Sequence, residues 1–173
     1  MLLLKGKIGC MRKYLNLHWL WLALFIIVLD QTTKLLITHL LTYQQVVPIT
    51  PFFNLVLAHN PGAAFSFLSN APGWQNWFLG IIAAIISLII VIWLYNLKTQ
   101  KTFEAIALSL ILGGAVGNLL DRIIHGFVID FLDFYFKMYH WPAFNIADSS
   151  IVIGTIILAY GYLFKSNKIE KAE

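Results

Sequence analysis

Charged residues and cysteine are both scarce in this chain. Only 12% of its 173 residues are Asp, Glu, Lys or Arg, whereas a soluble domain carries about 25%. Hydrophobic residues make up 60% of the chain, and the mean hydropathy is +0.78. The one cysteine, Cys10, cannot form an internal disulfide. This composition excludes a soluble globular protein and predicts a single integral membrane domain over residues 1–173.

The sequence also lacks the patterns of several common catalytic and binding sites. It contains no His-Glu-x-x-His pair for zinc, no Gly-x-Ser-x-Gly elbow and no Walker loop. The net charge of +4 does not indicate a nucleic-acid partner, because the basic residues cluster at the chain ends and in one loop. No metal or cofactor is expected either, since the five histidines are scattered: His18, His39, His59, His125 and His140.

Four apolar segments are long enough to cross a membrane as helices, which takes about 20 residues each. They lie at about 17–41, 77–97, 103–120 and 146–164, and the longer loops are 42–76 and 123–145. The first segment leads into Asp30 without a small-residue cleavage site, so we expect a retained span and not a cleaved signal peptide. The predicted fold class is an all-α membrane protein with four transmembrane helices.

The distribution of basic residues predicts the orientation, because cytoplasmic loops carry an excess of Lys and Arg. Nine of the twelve basic residues lie on one predicted side: four before the first span, two between the second and third, and three after the fourth. Loop 42–76 has no charged residue, and loop 123–145 has Lys137 as its only Lys or Arg. Both termini are therefore expected in the cytoplasm, and all five aspartates toward the outer, extracytoplasmic face.

The outer loops predict a small extracytoplasmic sheet and a short interfacial helix. Residues 53–58 and 63–67 are strand-forming runs on either side of an Asn60-Pro61-Gly62 turn signal, which suggests a hairpin or small curved sheet resting on the membrane. After Gly126 we expect an extended entry followed by a short helix. On a helix Asp130 and Asp133 would share a face, and on a strand they would not.

Asp130 and Asp148 are the candidate catalytic residues. Asn145 and Asp148, three apart, would also suit an N-cap and an acid in the first turn of a helix. Asp130, however, arrives at the same membrane depth from another segment without a neighbouring base. Two carboxylates that share a site cannot both ionise easily, so one keeps a proton. Such a pair can activate a water against a peptide carbonyl and protonate the leaving amine.

Other polar residues in or next to the spans could be structural or could support a site. Asp30 and Lys34 share a helix face, as a neutralised packing pair or as support behind a site. Asn118, Asp121 and Arg122 cluster in the third span after three glycines suited to close helix contact. Arg122 would either orient a carboxylate or anchor the helix at the interface.

Five motifs in order resemble the bacterial lipoprotein signal peptidases (signal peptidase II). They are Asp30-Gln-Thr-Thr-Lys34, Asn60-Pro-Gly-Ala-Ala-Phe-Ser66, Gly117-Asn-Leu-Leu-Asp-Arg122, Val128-Ile-Asp-Phe131 and Phe144-Asn-Ile-Ala-Asp-Ser149. Each motif alone is weak, but together and in this order they are specific. The resemblance spans residues 30–154.

The resemblance implies a membrane aspartic endopeptidase that removes the signal peptide from prolipoproteins on the amino side of a diacylglyceryl-modified cysteine. It implies a multi-pass protein of the bacterial inner membrane, with its active site toward the periplasm and membrane lipid around it. By motif, the catalytic acids are Asp130 and Asp148. The implied supporting or substrate-binding residues are Asp30, Lys34, Asn60, Gly62, Asn118, Asp121, Arg122 and Asn145.

Two other functions are weighed against the peptidase. A small proton-coupled transporter or channel subunit would place acids along a path across the bilayer, whereas the aspartates here crowd one end. A purely structural membrane subunit would leave Asp130 and Asp148 without a purpose.

Overall fold

The computed structural model describes residues 17–62, 73–98 and 101–169, with side chains up to residue 163. In this part of the chain four helices are long and apolar enough to cross a membrane. They are α1 (Leu20–Leu40, after a 3-10 turn at Leu17–Trp19), α2 (Trp74–Asn96), α3 (Thr102–His125) and α4 (Ile146–Ile169). The four predicted spans are therefore confirmed, and the third helix runs five residues further than predicted.

Helix α3 is the centre of the bundle. Its membrane-spanning window is 56% buried, against 17–28% in the other three helices. Small residues let its neighbours approach closely: a Cβ atom added at Gly114 would lie 2.5 Å from Ser150 Oγ on α4, and one added at Gly113 would lie 2.7 Å from Ile26 Cβ on α1. Helices associate in lipid largely through such contacts, so α1 and α4 are held against α3 without bulky side chains between them.

The loop after α1 and the loop after α3 meet in one small sheet. Its strands β1 (Val46–Thr50), β2 (Phe53–Asn60), β3 (Val128–Phe136) and β4 (Tyr139–His140) are antiparallel and lie in that order. Because β2 follows α1 and β3 follows α3, their pairing places both loops at the same end of the bundle. The predicted small sheet is confirmed, whereas the predicted partner run at 63–67 lies outside the described residues.

The short helix expected after Gly126 is replaced by strand β3. Its residues pair with β2 from Asn60↔Val128 to Phe53↔Phe134, and this pairing between the two central strands of the sheet favours the strand over the expected helix. Asp130 and Asp133 therefore do not share a face. The chain then reverses at Lys137, whose φ is 56°, to form the two-residue strand β4.

Candidate active site

A cavity of about 830 Å³ lies where the sheet meets the C-terminal end of α3 and the N-terminal end of α4. Its wall contains six of the ten predicted site residues: Asn60, Gly62, Asn118, Arg122, Asp130 and Asp148. The other four (Asp30, Lys34, Asp121 and Asn145) lie behind that wall and are at most 2% exposed. Val152 and Ile153 of α4 also line the cavity although they are more than half exposed on the helix surface. The cavity therefore reaches the apolar surface that lipid would cover.

Asp130 projects into this cavity from β3 and is 2% exposed. Its Oδ1 accepts a hydrogen bond of 2.7 Å from Asn145 Nδ2, and its Oδ2 accepts one of 3.0 Å from Asn60 Nδ2. The strand conformation aims this side chain at the cavity while Asp133 points away to Asn54 and His140. The two oxygens of Asp130 are thus fixed by amides from two different elements.

Asp148 enters the same cavity from the first turn of α4. Asn145 Oδ1 accepts a bond of 2.9 Å from the Asp148 amide, and Asp148 Oδ2 accepts one of 3.3 Å from the Asn145 amide. This reciprocal pair is a capping box at the N-terminus of the helix. The capping and the site interpretations of Asn145 and Asp148 are therefore compatible, because capping orients the side chain that faces the cavity.

Two buried asparagines connect the acids. Asn118 Nδ2 donates to Asp148 Oδ1 at 2.8 Å, and Asn118 Oδ1 accepts from Asn145 Nδ2 at 3.2 Å. Since Asn145 Nδ2 also donates to Asp130, a continuous amide chain joins the two carboxyl groups. These donors leave both acids little freedom to rotate.

A buried charged cluster lies beneath this amide chain. Lys34 Nζ is 2.8 Å from Asp30 Oδ2, 2.8 Å from Asp121 Oδ2 and 3.0 Å from Asn118 Oδ1. Gln31, which lies in the first motif but is not among the predicted site residues, donates to both of these aspartates. The first-span pair is therefore extended to a second acid on α3, so it ties two helices together.

The two aspartates of this cluster hold the residues that precede the cavity acids. Asp30 Oδ1 accepts the amide of Ala147, one residue before Asp148, at 2.9 Å. Asp121 Oδ2 accepts the amide of Ile129, one residue before Asp130, at 3.0 Å. One lysine thus couples the backbone positions of both acids.

Arg122 lines the cavity without a carboxylate partner among the described residues, where no ion pair within 4.0 Å includes it. Its guanidinium donates at 3.2 Å to the carbonyl oxygens of Asn118 and Gly62. The Gly62 amide in turn donates to Asn60 Oδ1 at 3.0 Å. Arg122 therefore links α3 to the end of β2, and the expectation that it orients a carboxylate directly does not match this geometry.

Burial, together with the nearby Asp148 carboxylate, raises the pKa of Asp130 from 3.8 to about 7. Its hydrogen bonds from Asn60 and Asn145 act in the opposite direction but are weaker. An acid with such a pKa can give or take a proton near neutral pH, as acid–base catalysis requires. Within the described residues no group of three or more His, Cys, Asp and Glu side chains is arranged to hold a metal ion.

Comparisons with known proteins point to one family. A family model described as Signal peptidase (SPase) II matches residues 22–164. The lipoprotein signal peptidases of Teredinibacter turnerae and Pseudomonas putida are 51% and 49% identical to this chain, over 86% and 90% of its length and 88% and 91% of theirs. Two bacterial membrane enzymes solved by the in meso method, at 2.3 and 1.9 Å resolution, match with TM-scores of 0.79 and 0.74 and identities of 33% and 34%. These matches cover 87% and 84% of this chain and 90% and 92% of the other chains.

Replacing Lys34 by Met should destabilise the protein by about 3–5 kcal/mol, because it leaves Asp30 and Asp121 buried without their cation. Thermal unfolding of the purified protein in detergent measures this change. The double variant Asp30→Asn/Lys34→Met removes one of the two unpaired charges and should recover part of the loss. An unfolding midpoint of Lys34→Met equal to that of the wild type would contradict the coupling role of the lysine.

Replacing Asp130 by Asn should raise the unfolding midpoint relative to the wild type more at pH 8 than at pH 5. The folded protein holds the Asp130 proton more tightly than the unfolded chain does, because the pKa is about 7 when folded and 3.8 when exposed. This stabilisation is complete below about pH 4 and is lost as the pH rises through 7, by up to roughly 4 kcal/mol.

The amide hydrogen bonds to Asp130 favour its ionised form and are already included in the pKa of about 7, so the change between the two pH values reports the titration. A difference between variant and wild type that stays constant from pH 5 to pH 8 would refute the raised pKa.

Proposed function

The chain belongs to the signal peptidase II family, and we propose that Asp130 and Asp148 are the two catalytic acids with which it removes signal peptides from prolipoproteins. The chain is a multi-pass membrane protease of the aspartic type, with four helices able to span the bilayer. The observation that carries the assignment of the acids is their convergence: they come from a strand and a helix, line one cavity and are joined by Asn118 and Asn145.

The proposed reaction needs one proton between the two acids. The ionised acid removes a proton from a water molecule as that water attacks the carbonyl carbon of the scissile peptide bond. The protonated acid donates to the developing oxyanion. When the carbon–nitrogen bond breaks, a proton passes to the leaving amine, and the pair again holds one proton. The raised pKa of Asp130 supports a shared proton at neutral pH.

The surrounding polar residues position the substrate and the acids. Asn60, Asn118 and Asn145 donate directly to the two carboxyl groups. Arg122 and Gly62 lie on the cavity wall, where remaining guanidinium donors suit backbone carbonyl groups of an extended substrate. The cluster of Asp30, Lys34 and Asp121 lies outside the cavity wall. It holds the backbone amides of the residues immediately before the two acids.

The proposed cleavage point is the amino side of a cysteine that carries a diacylglyceryl group. Such a substrate is anchored in the bilayer by its signal helix and its acyl chains. The cavity extends to the lipid-facing residues Val152 and Ile153, so this substrate can enter sideways from the membrane. The apolar wall would contact the acyl chains, and the two acids themselves would not recognise any side chain of the substrate.

The proposed location is the bacterial inner membrane, with both termini in the cytoplasm and the cavity toward the periplasm. The charge distribution supports this orientation, because nine of the twelve basic residues lie on the side of the chain ends. A transporter is not supported, since Asp30, Asp121, Asp130 and Asp148 gather around one end of the bundle and form one connected network.

Asp130→Asn and Asp148→Asn should each lower prolipoprotein cleavage by at least about 10³-fold, because each removes one half of the acid–base pair. Cleavage of a lipidated precursor by the purified protein measures the effect, and the unfolding midpoint shows that each variant is folded. Glu104→Gln is the matched control, since Glu104 lies at the opposite end of α3 from the cavity. Near-normal cleavage by either Asp variant would overturn the assignment.

The purified protein should cleave a diacylglyceryl-modified precursor and leave the same precursor without lipid essentially uncut. The physical reason is that docking of the acyl chains and the signal helix supplies the binding free energy. Both precursors are compared at equal concentration in the same detergent–lipid mixture. Equal cleavage of the two precursors would contradict lipid recognition but would leave the catalytic acids unaffected.

A further inference from the structure

One wall of the cavity follows the shortest strand of the sheet. Residues 141–144, from Trp141 to Phe144, all line the cavity and directly follow β4, which has only two residues. We call these four residues the outer wall. Backbone bonds hold its two ends to β3. The Trp141 amide donates to the Phe134 carbonyl oxygen at 2.8 Å, and the Phe144 amide donates to the Leu132 carbonyl oxygen at 3.1 Å. The Phe144 carbonyl oxygen also accepts the amides of Phe131 and Leu132, so this end is the more firmly held.

The turn between β3 and β4 opposes the closure of this wall. Lys137 has a φ of 56°, a left-handed conformation that is costly for any residue with a Cβ atom. A two-residue strand adds few ladder bonds against that cost. The side chains of Phe136, Met138 and Tyr139 around the turn are 71–89% exposed, so they make few contacts with the rest of the protein. The β4 end of the outer wall therefore depends on other side-chain contacts more than its Phe144 end does.

A polar contact on the other face of the sheet is made at this β4 end. His140 Nδ1 lies 2.9 and 3.0 Å from the two carboxylate oxygens of Asp133. Asp133 is 7% exposed, and its Oδ2 also accepts a hydrogen bond of 2.8 Å from Asn54 Nδ2. Asn54 is the residue of β2 that pairs with Asp133 in the sheet. The His140 ring stacks on Tyr135 with centroids 5.1 Å apart. A buried carboxylate anchored to β2 thus holds the residue immediately before the outer wall.

We propose that Asp133 and His140 are positioning residues for substrate binding: their hydrogen bond holds the outer wall against the cavity and thereby sets the affinity for the precursor. Neither side chain is among the residues that line the cavity, so neither takes part in bond cleavage. The inference rests on the proposed function, in which the precursor occupies this cavity beside Asp130 and Asp148. It separates the binding of the substrate from the chemistry of the two acids.

The central test compares His140→Ala with His140→Asn. Alanine removes the donor to Asp133, and KM for the lipidated precursor should rise about tenfold with kcat unchanged. Asparagine places an amide N–H close to the position of Nδ1, so KM should return to near the wild-type value. His39→Ala is the control, because His39 is exposed at the outer end of α1 and does not line the cavity. This control should leave KM and kcat unchanged.

Two double variants show whether His140 acts through the wall. In a Trp141→Ala background the His140→Ala change should add little to KM, because the wall contact is already lost. Lys137→Gly relieves the left-handed strain and should lower the KM of His140→Ala toward that of the wild type. Additive effects of His140→Ala and Trp141→Ala, or no recovery with Lys137→Gly, would overturn the proposal.

Direct binding separates this inference from the assignment of the acids. The lipidated precursor should bind an Asp130→Asn variant about tenfold more tightly than an Asp130→Asn/His140→Ala variant. Equal binding by the two variants, or a fall in kcat instead of a rise in KM for His140→Ala, would refute the positioning role. Cleavage that survives in Asp130→Asn would instead refute the proposed function.

Discussion

The structure depends on one buried ion cluster, in which Lys34 lies between the carboxylates of Asp30 and Asp121. Three charges that are almost completely buried are costly unless they neutralise one another. Lys34 offsets one of the two negative charges, and the two carboxylates also accept hydrogen bonds from the Gln31 side chain and from the amides of Ala147 and Ile129. The electrostatic attraction that holds α1 to α3 therefore also fixes the backbone immediately before Asp148 and Asp130.

The cavity shows how a membrane protein can keep two acids close together without a soluble core around them. Asp148 is oriented by the capping box that starts its helix, and Asp130 by the sheet that joins the two outer loops. Asn118 and Asn145 then satisfy the carboxyl oxygens, so neither acid is buried without hydrogen bonds. Burial and the nearby Asp148 carboxylate raise the pKa of Asp130 to about 7.

Much of this arrangement was predictable, and the exceptions have physical causes. The four spans follow from hydropathy, because a helix is the only open-chain structure that satisfies its own backbone in lipid. The helix expected after Gly126 was wrong, since the reversal at Lys137 carries no Asn-Gly or Gly signal for a two-residue turn. The pairing of β3 with β2, which is 70 residues away in sequence at Asn60 and Asp130, cannot be read from local periodicity either. Gln31 remained unselected for a similar reason, because its partner Asp121 is 90 residues distant.

The sequence by itself determined the class of this protein, the number of its spans and the identity of its ionisable residues, because these depend on composition and local patterns. The motifs also indicated the family, which the comparisons established. Only the tertiary structure decided which acids share a cavity, that Lys34 serves both Asp30 and Asp121, and that Asp133 turns away toward His140. Those facts depend on contacts between segments far apart in the chain, and such contacts are decided by the packing of helices and the register of strands.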